Sequence, residues 1–292
     1  EECGCILNPK GYTNKNDAMR YNIGILPGKG SLREIAAYLL DKNAFHCVPP
    51  TIRVEIYDRN KSMFNYNNNT TSNIKIGSLQ KYINGNTFDD DNINTILKRV
   101  FAHEVHKIGI LDIRLLNTDR TIENFLYNKI ENKGTYSYTL TPIDHGLILP
   151  EKIEIIPEQW IWLQFPQSKE PFSPFIKEYI NNINIEDDIR ILKNELGISD
   201  KALDNIRISN IVLKKGCNAG LNLYQIGMLI CRPKLKFDKN GNIIDKASKL
   251  EDLMIQAESL AFEKMRQNKL FYKRNQFKLY KKNRNKNNNN NN

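Results

Sequence analysis

Between Phe125 and Ile143 the chain carries two runs of aromatic and β-branched residues, Phe125 to Ile130 and Thr135 to Ile143, separated by Glu131-Asn132-Lys133-Gly134. Such runs on either side of a short Gly-containing turn predict an antiparallel hairpin. No other feature constrains the fold as much, because the two ends of a hairpin must lie side by side. A turn centred near residues 132–133 pairs residue i with roughly residue 265−i. Asn124 then faces Thr141, and Asp144 projects one or two ~3.4 Å steps beyond it. The hairpin thus delivers Asn124 and Asp144 to one end of a strand pair, with Asp119 in the loop that feeds it.

Those three residues form a pattern with a chemistry. Asp119-Arg120-x-x-x-Asn124, followed by Asp144-x-Gly146, suits phosphoryl transfer. That reaction needs a carboxylate to orient or deprotonate the attacking hydroxyl, and an Asn and an Asp to hold Mg²⁺ against nucleotide phosphates. Asp119 fits the first role. Asn124 and Asp144 supply the oxygens that a hard cation prefers. Gly146 is expected to let the backbone turn sharply beside Asp144.

The remainder reads as a small mixed region followed by a helical one. Leu32, Ile35, Ala36, Leu39 and Leu40 repeat at helical spacing, predicting a helix from about Ser31 to Asp41, with Ser31 and Glu34 as its capping box. Pro49-Pro50 ends that segment, and Thr51 to Tyr57 alternates as a strand. A polar, Asn-rich insertion at 58–73 leads to a second strand, Ile74 to Ile83, before Asn84-Gly85. Ile108 to Leu116 is apolar and ends at Asn117-Thr118-Asp119-Arg120. Later helices are expected at Ile185 to Leu196, near 200–215, and at Leu221 to Ile230. Asn240-Gly241 marks a surface hairpin within 234–244, and Ser248 with Glu251 forms a second capping box. The fold class is α+β, with a small mixed lobe joined to a larger, mainly helical lobe.

Charge and cysteine usage narrow the setting. The net charge is +10, from 43 basic and 33 acidic residues. Residues 264–292 hold ten of the basic side chains and no acid, so the body before them is neutral. Basicity is therefore a property of the tail, and it gives no reason to expect a nucleic-acid partner. Phe271, Tyr272, Phe277 and Tyr280 interleave the tail charges, which suits an anionic lipid surface. The 39 Asn residues, with runs at 67–69 and 287–292, read as low complexity. Five cysteines without a metal-type spacing suggest reduced thiols in a cytoplasmic chain. No apolar run reaches the ~18–20 residues of a membrane helix. The opening Glu1-Glu2-Cys3 has no initiator Met, and the expectation is a piece of a longer protein. His103 and His106 lack acidic partners at zinc spacing. His145 is expected as a hydrogen-bonding loop residue, and Trp160 and Trp162 as packing residues of the large lobe.

Ser31-Leu-Arg-Glu-Ile-Ala-Ala-Tyr-Leu-Leu-Asp41, Val48-Pro-Pro-Thr51, Gly77-Ser-Leu-Gln80, Ile108-Gly-Ile-Leu-Asp-Ile-Arg114, Asn117-Thr-Asp-Arg120 and Pro142-Ile-Asp-His-Gly-Leu147 stand in order. Together they resemble the type II phosphatidylinositol 4-kinases, most closely the plant gamma-type group of the phosphoinositide 3/4-kinase family, over roughly residues 8–230. The resemblance implies a bilobal kinase fold, ATP and Mg²⁺ as cofactors, and transfer of the γ-phosphate to the 4-hydroxyl of phosphatidylinositol at a membrane surface. It makes Asp119 the catalytic residue, Asn124 and Asp144 the metal ligands, and Glu34 the partner of an ATP-binding Lys. It puts Gln80, Lys81, Tyr82 and Ile83 on the hinge, with the Ile83 backbone meeting adenine.

Three departures accompany it. The Gly-rich loop and the strand bearing the ATP Lys would lie before Glu1, and Lys10, within Asn8-Pro-Lys-Gly11, matches a linker instead. Position 121 is Thr where the gamma group has His. The palmitoylated Cys cluster of the animal enzymes is absent. The implied division is 1–83 for the rest of the small lobe and hinge, 84–262 for the large lobe, and 263–292 for a basic tail. A protein Ser/Thr kinase and a non-catalytic scaffold of the same fold stay open as alternatives.

Overall fold

The computed structural model describes residue 25 and residues 28–57, 74–89, 93–132, 134–232, 236–237, 243–244 and 248–256. The content is mixed, with more helix than strand. Helix α1, Gly30–Leu40, buries Ile35, Ala36 and Leu40 of the expected stripe, together with Arg33 and Ala37, while Leu32 and Leu39 are half-buried. The expected Ser31–Glu34 capping box does not form. The helix starts a residue earlier, its cap position Lys29 makes no side-chain cap bond, and the Glu34 carboxylate turns to a different segment. After α1 the Asp41 carboxylate accepts the backbone N–H groups of His46 (2.7 Å) and Val48 (2.9 Å). Those bonds close the loop ahead of Pro49-Pro50.

Strands β1, Thr51–Tyr57, and β2, Ile74–Gln80, pair antiparallel from Thr51↔Gln80 to Tyr57↔Ile74. The second strand stops at Gln80 and does not run on to Ile83. One further ladder bond follows, from the Lys81 N–H to the Pro50 carbonyl (2.8 Å), and beyond it the Ile83 backbone makes no hydrogen bond among the described residues. The insertion at 58–73 lies outside the described residues.

A short helix α2, Ile93–Leu97, precedes α3, Ala102–Leu115. From Ile108 to Leu115 every residue of α3 is buried, including the charged Asp112 and Arg114. It packs against three later helices: α4, Pro174–Asn182; α6, Asp200–Asn218; and α7, Leu223–Ile230. Gly109 permits the closest approach, since a Cβ there would lie 2.4 Å from Leu223 Cδ2. Between α4 and α6 runs α5, Ile185–Leu196, which has the limits expected from its spacing, an Asn184 cap and a left-handed Gly197 at its end.

The central hairpin forms as β3, Phe125–Asn132, and β4, Thr135–Pro142. Its register runs from Phe125↔Pro142 to Asn132↔Thr135. Residue i therefore pairs with 267−i, two positions later than the sequence suggests. A shift of two keeps every side chain on its expected face. The reason is a tighter turn, with Asn132 paired to Thr135, for which Gly134 supplies φ +83°. Trp160 and Trp162 are fully buried and stacked, with ring centroids 5.1 Å apart. Two-residue strands β5, Lys236–Phe237, and β6, Ile243–Ile244, form the later hairpin.

Residues 247–292 make up a separate unit. In it Ser248 Oγ accepts the Glu251 N–H (3.1 Å) and a Glu251 carboxylate oxygen accepts the Ser248 N–H (2.8 Å), the expected reciprocal cap of a helix described as far as residue 256. The Asn8–Gly11 block and the basic tail lie outside the described residues. No helix among the described residues is long and apolar enough to cross a membrane.

Candidate active site

Helix α3 ends in left-handed Leu116, whose N–H bonds back to the helix, and Asn117 then donates its backbone N–H to the Asp112 carbonyl (2.9 Å). That reversal starts the loop carrying Asp119. The Asn117 side-chain oxygen accepts the Asp119 N–H at 2.9 Å. Thr118 bonds the Leu147 carbonyl through both its N–H (3.0 Å) and its hydroxyl (2.8 Å), tying the loop to the segment after β4.

The hairpin brings Asn124 together with Ile143, the residue before Asp144. Asn124 donates Nδ2 to the Asp119 carbonyl (2.7 Å), and its own carbonyl accepts the Ile143 N–H (3.1 Å). Asn124 therefore faces Ile143, one residue short of Asp144, and the convergence is closer than a Thr141 pairing would allow. With Nδ2 committed, the Asn124 oxygen is the atom left for a cation. Asn124 is buried, at 8% exposure.

The sharp turn after β4 is made by Asp144 itself, at φ 55°, and Gly146 does not have a positive φ. Short Asp side chains tolerate this left-handed conformation at a cost of ~1–2 kcal/mol. Gly146 contributes open space. A Cβ there would lie 3.5 Å from Asp144 Oδ1 and 3.8 Å from Glu34 Oε1, so both carboxylates border it.

Glu34 reaches this segment from α1. Its carboxylate accepts the His145 backbone N–H at 2.5 Å, lies 3.5 Å from the buried His145 Nδ1, and accepts Gln80 Nε2 at 3.3 Å. Burial pushes the Glu34 carboxyl up, but the His145 ring and N–H and the Arg120 charge outweigh it and hold the group below its ordinary range. Gln80 also donates to Thr51 Oγ1 (3.0 Å), so its side chain braces the base of β1 and β2. Tyr82 is 86% exposed. The His145 ring itself makes no hydrogen bond among the described residues.

Sequence reasoning passed over the residues beneath the site. Arg120 is fully buried and donates Nη1 to the carbonyls of Asn124 and Ile143, both at 2.7 Å. Its Nε binds both carboxylate oxygens of Asp112 (3.0 and 3.2 Å). Asp112 also accepts Asn117 Nδ2 (3.0 Å) and Trp162 Nε1 (3.1 Å), while Trp160 Nε1 donates to the Asn117 carbonyl (2.6 Å). Asp112 and Arg114 inside the apolar run Ile108 to Leu116 were the available signal, because charges in such a run must be paired. The site thus offers a carboxylate on a loop, an amide and a carboxylate from the two ends of a hairpin, and a third carboxylate from α1 that borders Gly146 together with Asp144.

The family profile "Phosphatidylinositol 3- and 4-kinase" matches residues 8–226. "Phosphatidylinositol 4-kinase gamma 4" of Oryza sativa subsp. japonica is 36% identical over 263 residues, covering 86% of this chain and 42% of the relative. "Phosphatidylinositol 4-kinase gamma 3" of Arabidopsis thaliana is 36% identical over 250 residues, covering 81% of the chain and again 42% of the relative. The chain spans less than half the length of these curated relatives. With a profile match over most of its length, the chain belongs to the phosphatidylinositol 3- and 4-kinase family.

Proposed function

We propose that this chain is the catalytic part of an ATP-dependent phosphatidylinositol 4-kinase that works at a cytoplasmic membrane surface. The observation that carries the reading is the closure of the hairpin, which sets Asn124 opposite Ile143 and brings Asp144 beside the Asp119 loop. The domain division is at 83/84, with α1, β1 and β2 in the small lobe of a bilobal kinase and the basic residues 263–292 as a tail that meets anionic lipid. Phosphatidylinositol is the substrate the relatives' names support. The nucleotide lies between the segment Gln80, Lys81, Tyr82, Ile83 and the hairpin, with the unpaired Ile83 backbone toward adenine.

Asn124 and Asp144 would hold Mg²⁺, which neutralises phosphate charge during transfer. The donor set fits, being one amide oxygen freed by the orientation of its NH₂ and one carboxylate. Asp119 accepts the proton of the inositol 4-hydroxyl as its oxygen bonds to the γ-phosphorus. The bond from that phosphorus to the β,γ-bridging oxygen breaks, and ADP leaves. Glu34 keeps the His145 backbone in place and so holds the Asp144 turn open toward the nucleotide.

The test is phosphate transfer by the full-length protein from radiolabelled ATP, with phosphatidylinositol in mixed micelles and a protein acceptor assayed in parallel. Labelled phosphatidylinositol 4-phosphate is the expected product. Label in the protein acceptor alone means a protein kinase, and label in neither, with intact folding, means a non-catalytic relative.

A further inference from the structure

Arg120 lies directly under the point where the two candidate metal ligands meet. One of its nitrogens, Nη1, donates to the carbonyls of Asn124 and Ile143 at 2.7 Å each. Asn124 is one of the ligands, and Ile143 immediately precedes the other. Two carbonyl oxygens that point at one spot repel each other, and a shared cationic donor converts that repulsion into a fixed separation. The guanidinium cannot wander. Asp112 grips Nε with both oxygens, the Phe125 ring lies 5.4 Å from Cζ, and the backbone of residue 120 is paired on both sides, with the Gln159 carbonyl (2.9 Å) and the Ile161 N–H (3.0 Å). Asp112 is itself fixed by Asn117 and Trp162.

We infer that Arg120, oriented by Asp112, is a positioning residue that sets the spacing between Asn124 and Asp144 and so the affinity of the site for a divalent cation. This rests on the proposed kinase reading. It adds a division of labour. Arg120 is fully buried and acts through the carbonyls of Asn124 and Ile143. A lysine at 120 keeps the charge but presents one compact ammonium. It cannot grip Asp112 through one nitrogen and fork to two carbonyls through another.

The test compares the wild-type full-length protein with Arg120→Lys and Asp112→Asn. Folding is followed by the near-ultraviolet circular dichroism of the stacked Trp160–Trp162 pair. Two ligands are then titrated, adenosine without metal and ATP with increasing Mg²⁺. Loss of a residue that orients metal ligands typically costs ~10–100-fold in metal affinity. The Mg²⁺ concentration for half-maximal ATP binding should therefore rise by about that factor in both variants, with adenosine affinity unchanged. A purely structural role lowers the amount of folded protein and leaves the Mg²⁺ midpoint where it was, and that result overturns the inference. If Arg120→Lys does not fold, Asp112→Asn decides. If neither folds, Arg120 supports the core alone and the inference fails. Absence of any Mg²⁺-dependent ATP binding by the wild type instead refutes the kinase reading, and the inference falls with it.

Discussion

Replacing Asp119 with Asn separates the catalytic role of this residue from its structural one. Three hydrogen bonds at residue 119 use main-chain atoms. The N–H donates to Asn117 Oδ1 (2.9 Å), and the carbonyl accepts from Asn124 Nδ2 (2.7 Å) and the Thr121 N–H (3.0 Å). Asn keeps the shape and all three, so the loop should hold its course and stability should change by no more than ~0.5 kcal/mol. What disappears is the basic oxygen. A positioned general base contributes ~10²–10⁴-fold in rate, which at ~1.36 kcal/mol per tenfold is about 2.7–5.4 kcal/mol of barrier. The assay is turnover on phosphatidylinositol at saturating ATP and lipid, with Mg-ATP affinity by calorimetry and a thermal melt on the same preparations. The expected result is a turnover number down at least a hundredfold, with affinity and melting temperature near wild type. Near wild-type turnover on both lipid and protein acceptors refutes the assignment of Asp119. An equal fall in Mg-ATP affinity refutes the separation of roles.

Other substitutions probe the neighbouring contacts. Asp144→Asn removes a charge from the metal site but tolerates the left-handed backbone, so Mg-ATP affinity and rate should fall together while the melting temperature holds. Glu34 has a lowered folded-state carboxyl range, so its contribution is present above the ordinary value of 4.5 and is lost as the pH falls through the folded one. The melting-temperature gap between wild type and Glu34→Gln should therefore be constant from neutral pH down to about 5 and shrink below 4.5, and a gap that widens on acidification contradicts a stabilising Glu34–His145 contact. Gly109→Ala drives a methyl into Leu223 at the α3–α7 crossing, and overpacking of this kind costs ~1–3 kcal/mol, partly offset by the better helix propensity of Ala. A lower melting temperature with unchanged metal dependence is expected, and a stabilised variant would show that the helices can separate freely.

Much of this was legible because the signals were local. The limits of α5, the Ser248–Glu251 box and the two strands of the hairpin depend on residues a few positions apart, and each formed as read. The hairpin alone set Asn124 opposite Ile143, next to Asp144, and a register error of two could not change which face each strand residue takes because strand faces repeat every two residues. Long-range competition explains the failures. Ser31-x-x-Glu34 satisfies a local capping rule, yet Glu34 gains more from the His145 N–H and the ring beside it, 111 positions away. The left-handed Asp144 leaves no mark in the sequence, since the glycine that suggests a turn stands two residues later. Arg120 looked like part of a motif, and its partners lie in α3 and across a hairpin that has to form first.

These contacts form a closed ring around the site, and the ring explains why so many charges are buried in it. Asp112 on α3 holds Arg120, and Arg120 holds Ile143 beside Asp144. The next residue, His145, donates to Glu34 of α1. At the other end of α1 the Leu40 carbonyl accepts Arg114 Nη1 (3.4 Å), and Arg114 returns to α3 two residues from Asp112. Arg114 is fixed in turn by the Tyr179 hydroxyl and by Asp188, each at 2.8 Å. Buried ion pairs of this kind are commonly no more stabilising than apolar side chains of similar volume. Their value here lies in direction, because a leucine at 112 or 114 would fill the same space without specifying where a carbonyl must point. The rigid helix α3 thus fixes Asp144 by two routes, through the hairpin and through α1. In the proposed metal site that redundancy serves the placement of ligands to within a fraction of an ångström, which matters more there than the last few kilocalories of stability.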